Sequence, residues 1–335
     1  MNDQDVPDTI GGALALACAR YPDRPFLAVP ASEQRDHDRA GRSLSYAQVA
    51  REVDVLAAHY RRQGYGVGHR VGLLLENRLE HVLHKFALNA TGACVVPLNP
   101  DATARELAYI IDHAHLDACV FLAGRRGDWD AALQASTAKP ACIALETFPQ
   151  SLAPARTPAT DFSPTASSAA TVLYTSGTTG KPKGCVLSHG YELASGRAYL
   201  ERGGMATFRE EGERIYNPLP LYHVNASVLS LFAALLSGSC QIQADRFHPT
   251  RWWREVVDSG ATVVHYLGVM VQMLLSLDRT DLETMHGVRF GIGAGIEPQV
   301  HAACETRFGF PLLEIWGMTE MVRILVDCHP PRDVG

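Results

Sequence analysis

The chain contains 335 residues, of which 47% are hydrophobic and 20% are charged, and its net charge at pH 7 is −6. This composition is typical of a globular protein with a large core, and the length predicts more than one structural unit. The acidic balance excludes a broad basic surface of the kind that binds nucleic acid, so we expect no nucleic-acid partner.

The eight cysteines are scattered without a C-x-x-C pair, which argues against a zinc cluster or a disulfide framework. The N-terminus is acidic, and the longest apolar run, Val228 to Leu236, is shorter than the ~20 residues of a membrane span. We therefore expect a cytoplasmic protein without a transmembrane segment. The oligomeric state is left open, with a homodimer as one alternative.

The first part of the chain alternates between helical and strand patterns. Apolar residues at helical spacing predict helices over 9–21, 45–64, 79–89 and 102–113. Short apolar runs predict strands over 70–75, 93–97 and 118–122. Apolar strands between helices are typical of a largely parallel sheet that is covered on both faces.

The composition changes to Pro, Ala, Ser and Thr before the second part of the chain. This change predicts a linker at 151–170 between a first α/β subdomain, 1–150, and a second, 171–335. The second part predicts helices over 191–200, 226–236, 248–258, 269–277 and 298–308. It predicts strands over 214–217, 240–242, 261–265, 288–292 and 311–315. The expected fold class is therefore α/β, with two helix-flanked, largely parallel sheets.

A glycine-rich segment directly follows the strand-like run 171–174. Its residues are Thr175, Ser176, Gly177, Thr178, Thr179, Gly180, Lys181, Pro182, Lys183 and Gly184. Glycines let successive backbone N–H groups point at one position, hydroxyls add donors, and lysine brings a mobile positive charge. The segment therefore predicts a loop that holds a polyphosphate.

Two other interpretations of this segment fit its residues less well. It is not the common P-loop, because Pro182 follows Lys181 and Thr175 stands where the first glycine of that pattern would be. A flexible surface loop has a similar composition. Ten such residues in a row, between the strand-like runs 171–174 and 185–187, favour the phosphate loop.

Three further segments carry residue types that suit a nucleotide site. Small residues at 293–295 follow a predicted strand and would let a flat ligand approach the backbone, although an ordinary tight turn has the same composition. Trp316 offers a π-face for a purine. Glu320 offers the hard oxygen that Mg²⁺ prefers, although a single glutamate is more often only solvated. His223 lies in the run 219–226, and a lone histidine near apolar residues is by itself more often a structural residue.

Taken together, the segments 175–184, 219–226, 293–295 and 316–320 resemble those of the adenylate-forming enzymes, which include acyl-CoA synthetases, firefly-type luciferases and nonribosomal-peptide adenylation domains. The resemblance covers most of the chain and is complete over 175–184. It implies two sheets packed with helices between and around them, plus part of a small barrel. It also implies activation of a small carboxylic acid by ATP through an acyl-adenylate, followed by transfer to the thiol of CoA.

The resemblance implies a role for each matching residue. Thr175 and Lys181, with Ser176, Gly177, Thr178, Thr179 and Gly180 between them, would hold the phosphates of ATP. Glu320 would bind Mg²⁺, and His223 would orient the reacting carboxylate, so the catalytic set is His223, Thr175, Lys181 and Glu320. The nucleotide would further contact Gly293, Ala294, Gly295, Glu314, Ile315, Trp316, Gly317, Met318 and Thr319. The acid would contact His223, Val224, Asn225, Gly268, Val269 and Met270, with Gly268 leaving room for it.

In the family, a ribose-binding aspartate, a hinge and a small C-terminal domain with a bridging lysine come later than the segment corresponding to 316–320, whereas this sequence ends at Gly335. We therefore expect this polypeptide to be the N-terminal portion of such an enzyme, without the lid domain, and to adenylate poorly. A truncated nucleotide- or acyl-adenylate-binding module and an unrelated ATP-dependent kinase remain as alternatives. The sequence leaves open which acid is used, and whether the acceptor is CoA or a carrier-protein thiol.

Overall fold

A computed structural model describes residues 7–175, 181–321 and 324–332. The helices are α1 Ile10–Arg20, α2 Tyr46–Arg62, α3 Leu79–Thr91, α4 Ala104–Ala114, α5 Arg126–Ala135, α6 His189–Leu200, α7 Leu231–Ser237, α8 Trp252–Asp258, α9 Gly268–Ser276 and α10 Pro298–Phe308. The strands are β1 Pro25–Val29, β2 Arg42–Ser45, β3 Arg70–Leu74, β4 Cys94–Pro97, β5 Ala118–Phe121, β6 Ala141–Ala144, β7 Ala169–Thr175, β8 Lys183–Ser188, β9 Arg214–Asn217, β10 Cys240–Gln243, β11 Val263–Leu267, β12 Phe290–Ala294, β13 Leu312–Trp316 and β14 Leu325–Val326.

The chain divides into two compact units. The first unit contains residues 1–16 and 48–193, and its six-stranded sheet has the order β6-β5-β3-β4-β7-β8. The strands pair in parallel except for β7 and β8, which are antiparallel. Strands β4 and β5 are buried along their whole length, as expected for a parallel sheet covered on both faces.

The second unit contains residues 17–47 and 194–335, and its eight-stranded sheet has the order β14-β13-β12-β11-β9-β10-β1-β2. Its strands pair in parallel except at the two ends, where β1 pairs with β2 and β13 with β14 in antiparallel fashion. The predicted fold class, two helix-flanked and largely parallel sheets, is confirmed.

The boundary between the units differs from the predicted linker. Residues 151–193 belong to the first unit, and residues 17–47 belong to the second, so the chain passes between units within α1, α2 and α6. The predicted linker 151–170 is tied down by backbone bonds, in which Ala155 N donates to Gln63 O (2.8 Å) and Ala159 N donates to Gly64 O (2.8 Å). Low apolar content marks a segment that lacks regular structure, but it does not report backbone bonds made to other parts of the chain.

Local chemistry explains where helix α4 begins and where helix α10 begins and ends. The hydroxyl of Thr103 accepts from Glu106 N, and the Glu106 carboxylate accepts from Thr103 N at 2.8 Å, which forms a capping box at the start of α4. Helix α10 starts at Pro298, where the missing N–H costs nothing, and ends at Gly309, whose φ is +77°.

Among the described residues, each helix is too short or too polar to cross a membrane. All eight cysteines lie within the described residues and are free.

A buried ion pair lies between α3 and α6 within the first unit. The Nζ of Lys85 donates to the Glu192 carboxylate at 2.7 and 3.0 Å and to the Thr171 hydroxyl at 2.5 Å. The two charged side chains are only 1% and 0% exposed. Charges removed from water in this way are tolerated only while both partners are present.

We expect Lys85→Met to destabilise the protein by about 3–5 kcal/mol, because it leaves the Glu192 carboxylate buried without its cation. The measurement is urea unfolding followed by circular dichroism. Arg126→Met, which breaks the exposed pair with Asp130, is the control and should shift the midpoint far less. Equal shifts for the two variants would contradict this account of the pair.

Candidate functional site

The glycine-rich segment connects two antiparallel strands of the first unit. Strand β7 ends at Thr175, strand β8 begins at Lys183, and these two residues are partners across the hairpin. Thr175 is half-buried and Lys181 is exposed. The predicted phosphate-binding residues Ser176, Gly177, Thr178, Thr179 and Gly180 lie outside the described residues.

Both ends of this hairpin connection are held by aromatic residues on α4. The Tyr109 hydroxyl donates to the carbonyl of Pro182 at 3.0 Å, and His113 Nδ1 lies 2.8 Å from the hydroxyl of Tyr174. The rings of Tyr109 and His113 stack at 5.2 Å. Helix α4 therefore fixes the last residues before the loop and the first residues after it. The sequence signal was limited to the i, i+4 spacing of Tyr109 and His113, which places them on one helix face but names no partner.

In the second unit, three neighbouring strands end at the same sheet edge. Strands β11, β12 and β13 are parallel neighbours, with Leu267 opposite Ala294 and Gly293 opposite Glu314. This arrangement brings together three of the segments predicted to form the site: 268–270, 293–295 and 314–320. The carboxyl ends of parallel strands are where open α/β sheets bind ligands.

The carboxylate of Glu314 joins these three strands. Its Oε2 accepts from the backbone N–H of Gly295 at 3.0 Å, and its Oε1 accepts from the hydroxyl of Tyr266 at 3.0 Å. Burial, and then the nearby Glu314 carboxylate, raise the pKa of Tyr266, which stays protonated and able to donate. Glu314 was predicted to contact the nucleotide. In the structure, both oxygens of its carboxylate accept hydrogen bonds from the protein, and one of these bonds holds the loop after β12.

Two glycines are required by close contact between backbones at this edge. A Cβ on Gly268 would lie 1.7 Å from the carbonyl oxygen of Gly295, and a Cβ on Gly293 would lie 2.2 Å from that of Tyr266. Gly268 was predicted to leave room for the acid. The space that a side chain at Gly268 would fill is occupied by the loop after β12, so the fold itself requires glycine here.

A cavity of about 190 Å³ opens beside this edge. Its lining contains the predicted residues Val224, Asn225, Ala294, Ile315, Trp316, Gly317 and Met318, together with Leu229, Met321 and Ile324. Trp316 is 57% exposed, so its ring face is available to a planar ligand. Gly268, Val269 and Met270 are not among the lining residues; Val269 is exposed and Met270 is buried, where its sulfur accepts from Leu267 N at 3.3 Å.

His223 stands just before the cavity wall, at the start of a widened helical turn. Residues Asn225–Ser230 form a π-helical turn that continues into α7, and the Ser227 hydroxyl donates to the His223 carbonyl at 2.8 Å. Turns of this type are frequent at functional sites. The His223 ring contacts Tyr222 at 4.6 Å between centroids while its edge reaches solvent, and partial burial lowers its pKa. It is therefore neutral at pH 7 and can donate one hydrogen bond.

Sequence reasoning did not find the polar residues behind the cavity wall. Asn225 Oδ1 accepts from Asn217 Nδ2 at 3.0 Å and lies 2.7 Å from His265 Nδ1, while His265 Nε2 lies 3.1 Å from the hydroxyl of Tyr199. A histidine inside the apolar strand 263–267 was the available signal, and it is equally typical of a satisfied core residue.

The predicted metal ligand, Glu320, is exposed at the end of the same segment. No group of three or more His, Cys, Asp or Glu side chains in the described part of the chain could hold a metal ion. Mg²⁺ that arrives with a nucleotide takes only one or two protein carboxylates and completes its shell with phosphates and water. A single accessible glutamate therefore fits Mg²⁺ bound in this way and does not fit an all-protein metal site.

The second unit is thus an open α/β sheet whose carboxyl edge carries glycine-rich turns, an exposed tryptophan and an apolar cavity, a combination typical of nucleotide-dependent enzymes. The comparison with known families agrees with this class. Residues 14–334 match the family described as AMP-binding enzyme, and the chain belongs to that family.

Similar proteins include CoA ligases for different acids. The chain is 28% identical over 329 residues to a sulfoacetate–CoA ligase of Cupriavidus necator, covering 95% of this chain and 61% of that protein. It is 31% identical over 337 residues to the medium/long-chain-fatty-acid–CoA ligase FadD6 of Mycobacterium tuberculosis, covering 98% of this chain and 53% of that protein. The chain thus spans between half and two thirds of the length of these relatives.

The fold is also that of a solved structure. The N-terminal domain of FACL13 from Mycobacterium tuberculosis superposes with a TM-score of 0.77 at 21% identity, covering 93% of this chain and 76% of that one. The identification with the adenylate-forming family, made from the sequence motifs, is therefore confirmed.

We expect Gly268→Ala to destabilise the second unit by about 1–3 kcal/mol or more, because the added methyl group overlaps the Gly295 carbonyl and the loop after β12 must move. Urea unfolding measures the loss. Gly287→Ala is the control, since the nearest atom to its added Cβ is 4.0 Å away. A Gly268→Ala variant as stable as the Gly287→Ala variant would contradict the close contact.

Proposed function

We propose that this chain is the nucleotide- and acid-binding portion of an ATP-dependent acid–thiol ligase that works through an acyl-adenylate. The observation that carries the proposal is the meeting of Ala294, residues 315–318, and Val224 with Asn225 around one cavity at the carboxyl edge of the second sheet. Membership of the AMP-binding family and the named activities of the relatives support it.

The proposed reaction has two steps. A carboxylate oxygen attacks the α-phosphorus of ATP, the bond between the α-phosphorus and the bridging oxygen breaks, and pyrophosphate leaves. A thiolate then attacks the acyl carbon, a thioester forms and AMP leaves. Both steps need positioning and stabilised charge more than a covalent protein group. CoA is the proposed thiol, because the relatives are named as CoA ligases.

The residues divide between the two ligands. The segment 175–181 would hold the β- and γ-phosphates, and the turn 293–295 with Trp316 would hold the adenine. The neutral imidazole of His223 would donate to the carboxylate of the acid and keep it directed at the α-phosphorus. Val224 and Asn225 would contact the rest of the acid.

Mg²⁺, when bound with ATP, neutralises charge on the phosphate oxygens. Glu320 is the residue that would hold it, and its exposed carboxylate can reach an ion that already carries phosphate and water ligands. A cytoplasmic location and a homodimer stay expectations from the sequence.

Binding is the property that we expect this chain to show by itself. Calorimetry of the 335-residue chain should rank a sulfamoyl analogue of an acyl-adenylate above ATP and ATP above AMP, because the analogue fills both the nucleotide site and the cavity. Trp316→Ala should weaken all three ligands by roughly 10-fold through loss of the stacking face.

The same titrations separate the alternatives. A kinase would prefer ATP and ignore the acyl-adenylate analogue, and a chain that binds none of the three ligands would refute the proposal. Pyrophosphate exchange at ordinary enzyme rates would show that the chain is more than a weakly active binding portion.

Tyr109→Phe tests the support of the phosphate loop. The variant loses the hydroxyl that holds Pro182, and we expect ATP to bind about 5-fold more weakly while AMP, which lacks the β- and γ-phosphates, is unaffected. Tyr65→Phe is the matched control, because its hydroxyl makes a similar bond, 3.1 Å, to the Ala153 carbonyl. An equal loss for ATP and AMP would show that Tyr109 acts on overall stability instead.

A further inference from the structure

One polar amide interrupts the apolar wall of the cavity in the second unit. Among the described lining residues, the side chains apart from the indole of Trp316 are aliphatic or methionine, with one glycine, and Asn225 supplies the one amide. The direction in which the Asn225 amide faces decides whether it offers the cavity a donor or an acceptor. That direction can be deduced from the hydrogen bonds behind the wall.

The deduction starts from a backbone donor, whose role is unambiguous. The N–H of Leu219 donates to the side chain of Asn217 at 2.9 Å, so the atom that receives it must be Oδ1. The Asn217 NH₂ group therefore faces the other way, toward Ser230 Oγ at 2.9 Å and Asn225 at 3.0 Å. The atom of Asn225 that meets it must be the oxygen.

His265 supplies the second bond to the same oxygen. Burial lowers the pKa of His265 to about 3, so the ring is neutral and carries one proton. Because Asn225 Oδ1 can only accept, that proton is on Nδ1, which lies 2.7 Å away. The other nitrogen, Nε2, then accepts from the hydroxyl of Tyr199 at 3.1 Å. Asn217, His265 and Tyr199 are each 1% exposed or less, so water does not compete for these bonds.

The Asn225 NH₂ group is left on the opposite side of the amide. It has no hydrogen-bond acceptor among the residues that the structure describes, and Asn225 is a lining residue of the cavity. Two hydrogen bonds hold the oxygen of the Asn225 amide, so the amide cannot turn this oxygen toward the cavity without breaking both. The amide thus presents a preorganised pair of N–H donors.

We propose that the acid used by this protein has a short acyl group carrying a hydrogen-bond acceptor, such as a hydroxyl, carbonyl, carboxylate or sulfonate oxygen, which the Asn225 NH₂ group binds. This proposal rests on the proposed function, since it takes the side of the cavity formed by Val224, Asn225 and Leu229 to be the acyl site. The cavity volume of about 190 Å³ lies below the ~300 Å³ at which pockets for drug-sized ligands begin, which favours a short acyl group. A plain alkyl chain of equal length would leave the N–H donors unpaired when it displaces water.

The experiment uses the full chain and sulfamoyl analogues of acyl-adenylates with a five-carbon acyl group. One analogue is unsubstituted, and the others carry a hydroxyl, a carbonyl, a carboxylate or a sulfonate at carbon 3, 4 or 5. We expect at least one acceptor-bearing analogue to bind about 10-fold more tightly than the alkyl analogue. The neutral and anionic members identify which acceptor the site prefers.

Two substitutions link this preference to the amide. Asn225→Asp keeps an oxygen for Asn217 and His265 but replaces the NH₂ group with an acceptor, so the preference for acceptor-bearing analogues should disappear or reverse. Asn225→Leu removes the donor and should reduce the preference by about 10-fold. Asn225→Leu also leaves two buried donors, on Asn217 and His265, unpaired, so its unfolding midpoint is measured as well. If Asn225→Leu does not fold, the result for Asn225→Asp alone tests the proposal. In a folded Asn225→Leu variant, affinity for the alkyl analogue should rise, because no N–H donor is left unpaired beside the alkyl chain, whereas a general structural effect would weaken all analogues alike.

Equal binding of the alkyl and all acceptor-bearing analogues, or a preference that both variants retain, would overturn the proposed substrate class while leaving the acyl-adenylate function in place. If the protein without any mutation bound neither the alkyl analogue nor an acceptor-bearing analogue, the proposed function itself would fail, and the proposed substrate class would fail with it.

Discussion

The carboxylate of Glu314 is the interaction on which the candidate site in the second unit depends. It lies on β13, accepts from the hydroxyl of Tyr266 on β11, and accepts from the N–H of Gly295 beyond β12. One side chain therefore sets the positions of three strand ends relative to each other. The two oxygens of this half-buried carboxylate satisfy donors from two different segments, so the residue is difficult to replace, because each donor would lose its partner. The turns on either side of the cavity consequently keep one arrangement before any ligand arrives.

The same constraint explains why small residues recur at this edge. With the loop after β12 held against β13, the backbone of residues 293–295 passes so close to β11 and α9 that neither Gly268 nor Gly293 has space for a Cβ. The apolar cavity then forms beside a rigid backbone wall. Preorganisation of this kind removes the entropic cost of ordering the loop when a ligand binds.

Much of the fold follows from sequence patterns. The predicted strand 214–217 and the predicted helix 298–308 match β9 and α10 residue for residue, and several other predicted elements lie within two or three residues of the observed ones. Strand β1 and strand β2 were not predicted: the apolar run of β1 is too short for periodicity to separate it from a helix or loop, and β2 contains one apolar residue among polar ones. The unit boundary was also misplaced, since contacts between distant segments leave no mark on composition. The candidate site was predicted from motifs, whereas Tyr109, Asn217, His265 and Tyr199 were not predicted, because their contacts arise only from what the fold places beside them.

The difference between residues that motifs predict and residues that they miss has a physical basis, and this basis bears on the identity of the acid. Motifs report residues that face the ligand, but the hydrogen bonds behind those residues decide what the residues offer. Relatives named for acids as different as sulfoacetate and long fatty acids match this chain at 28% and 31% identity, so overall similarity does not select between them. The amide of Asn225 does carry such information, because the Leu219 N–H, the Asn217 amide and the neutral His265 ring together leave its orientation no freedom. A buried network with one allowed arrangement of protons thus converts a polar residue in a cavity wall into a specific preference for an acceptor.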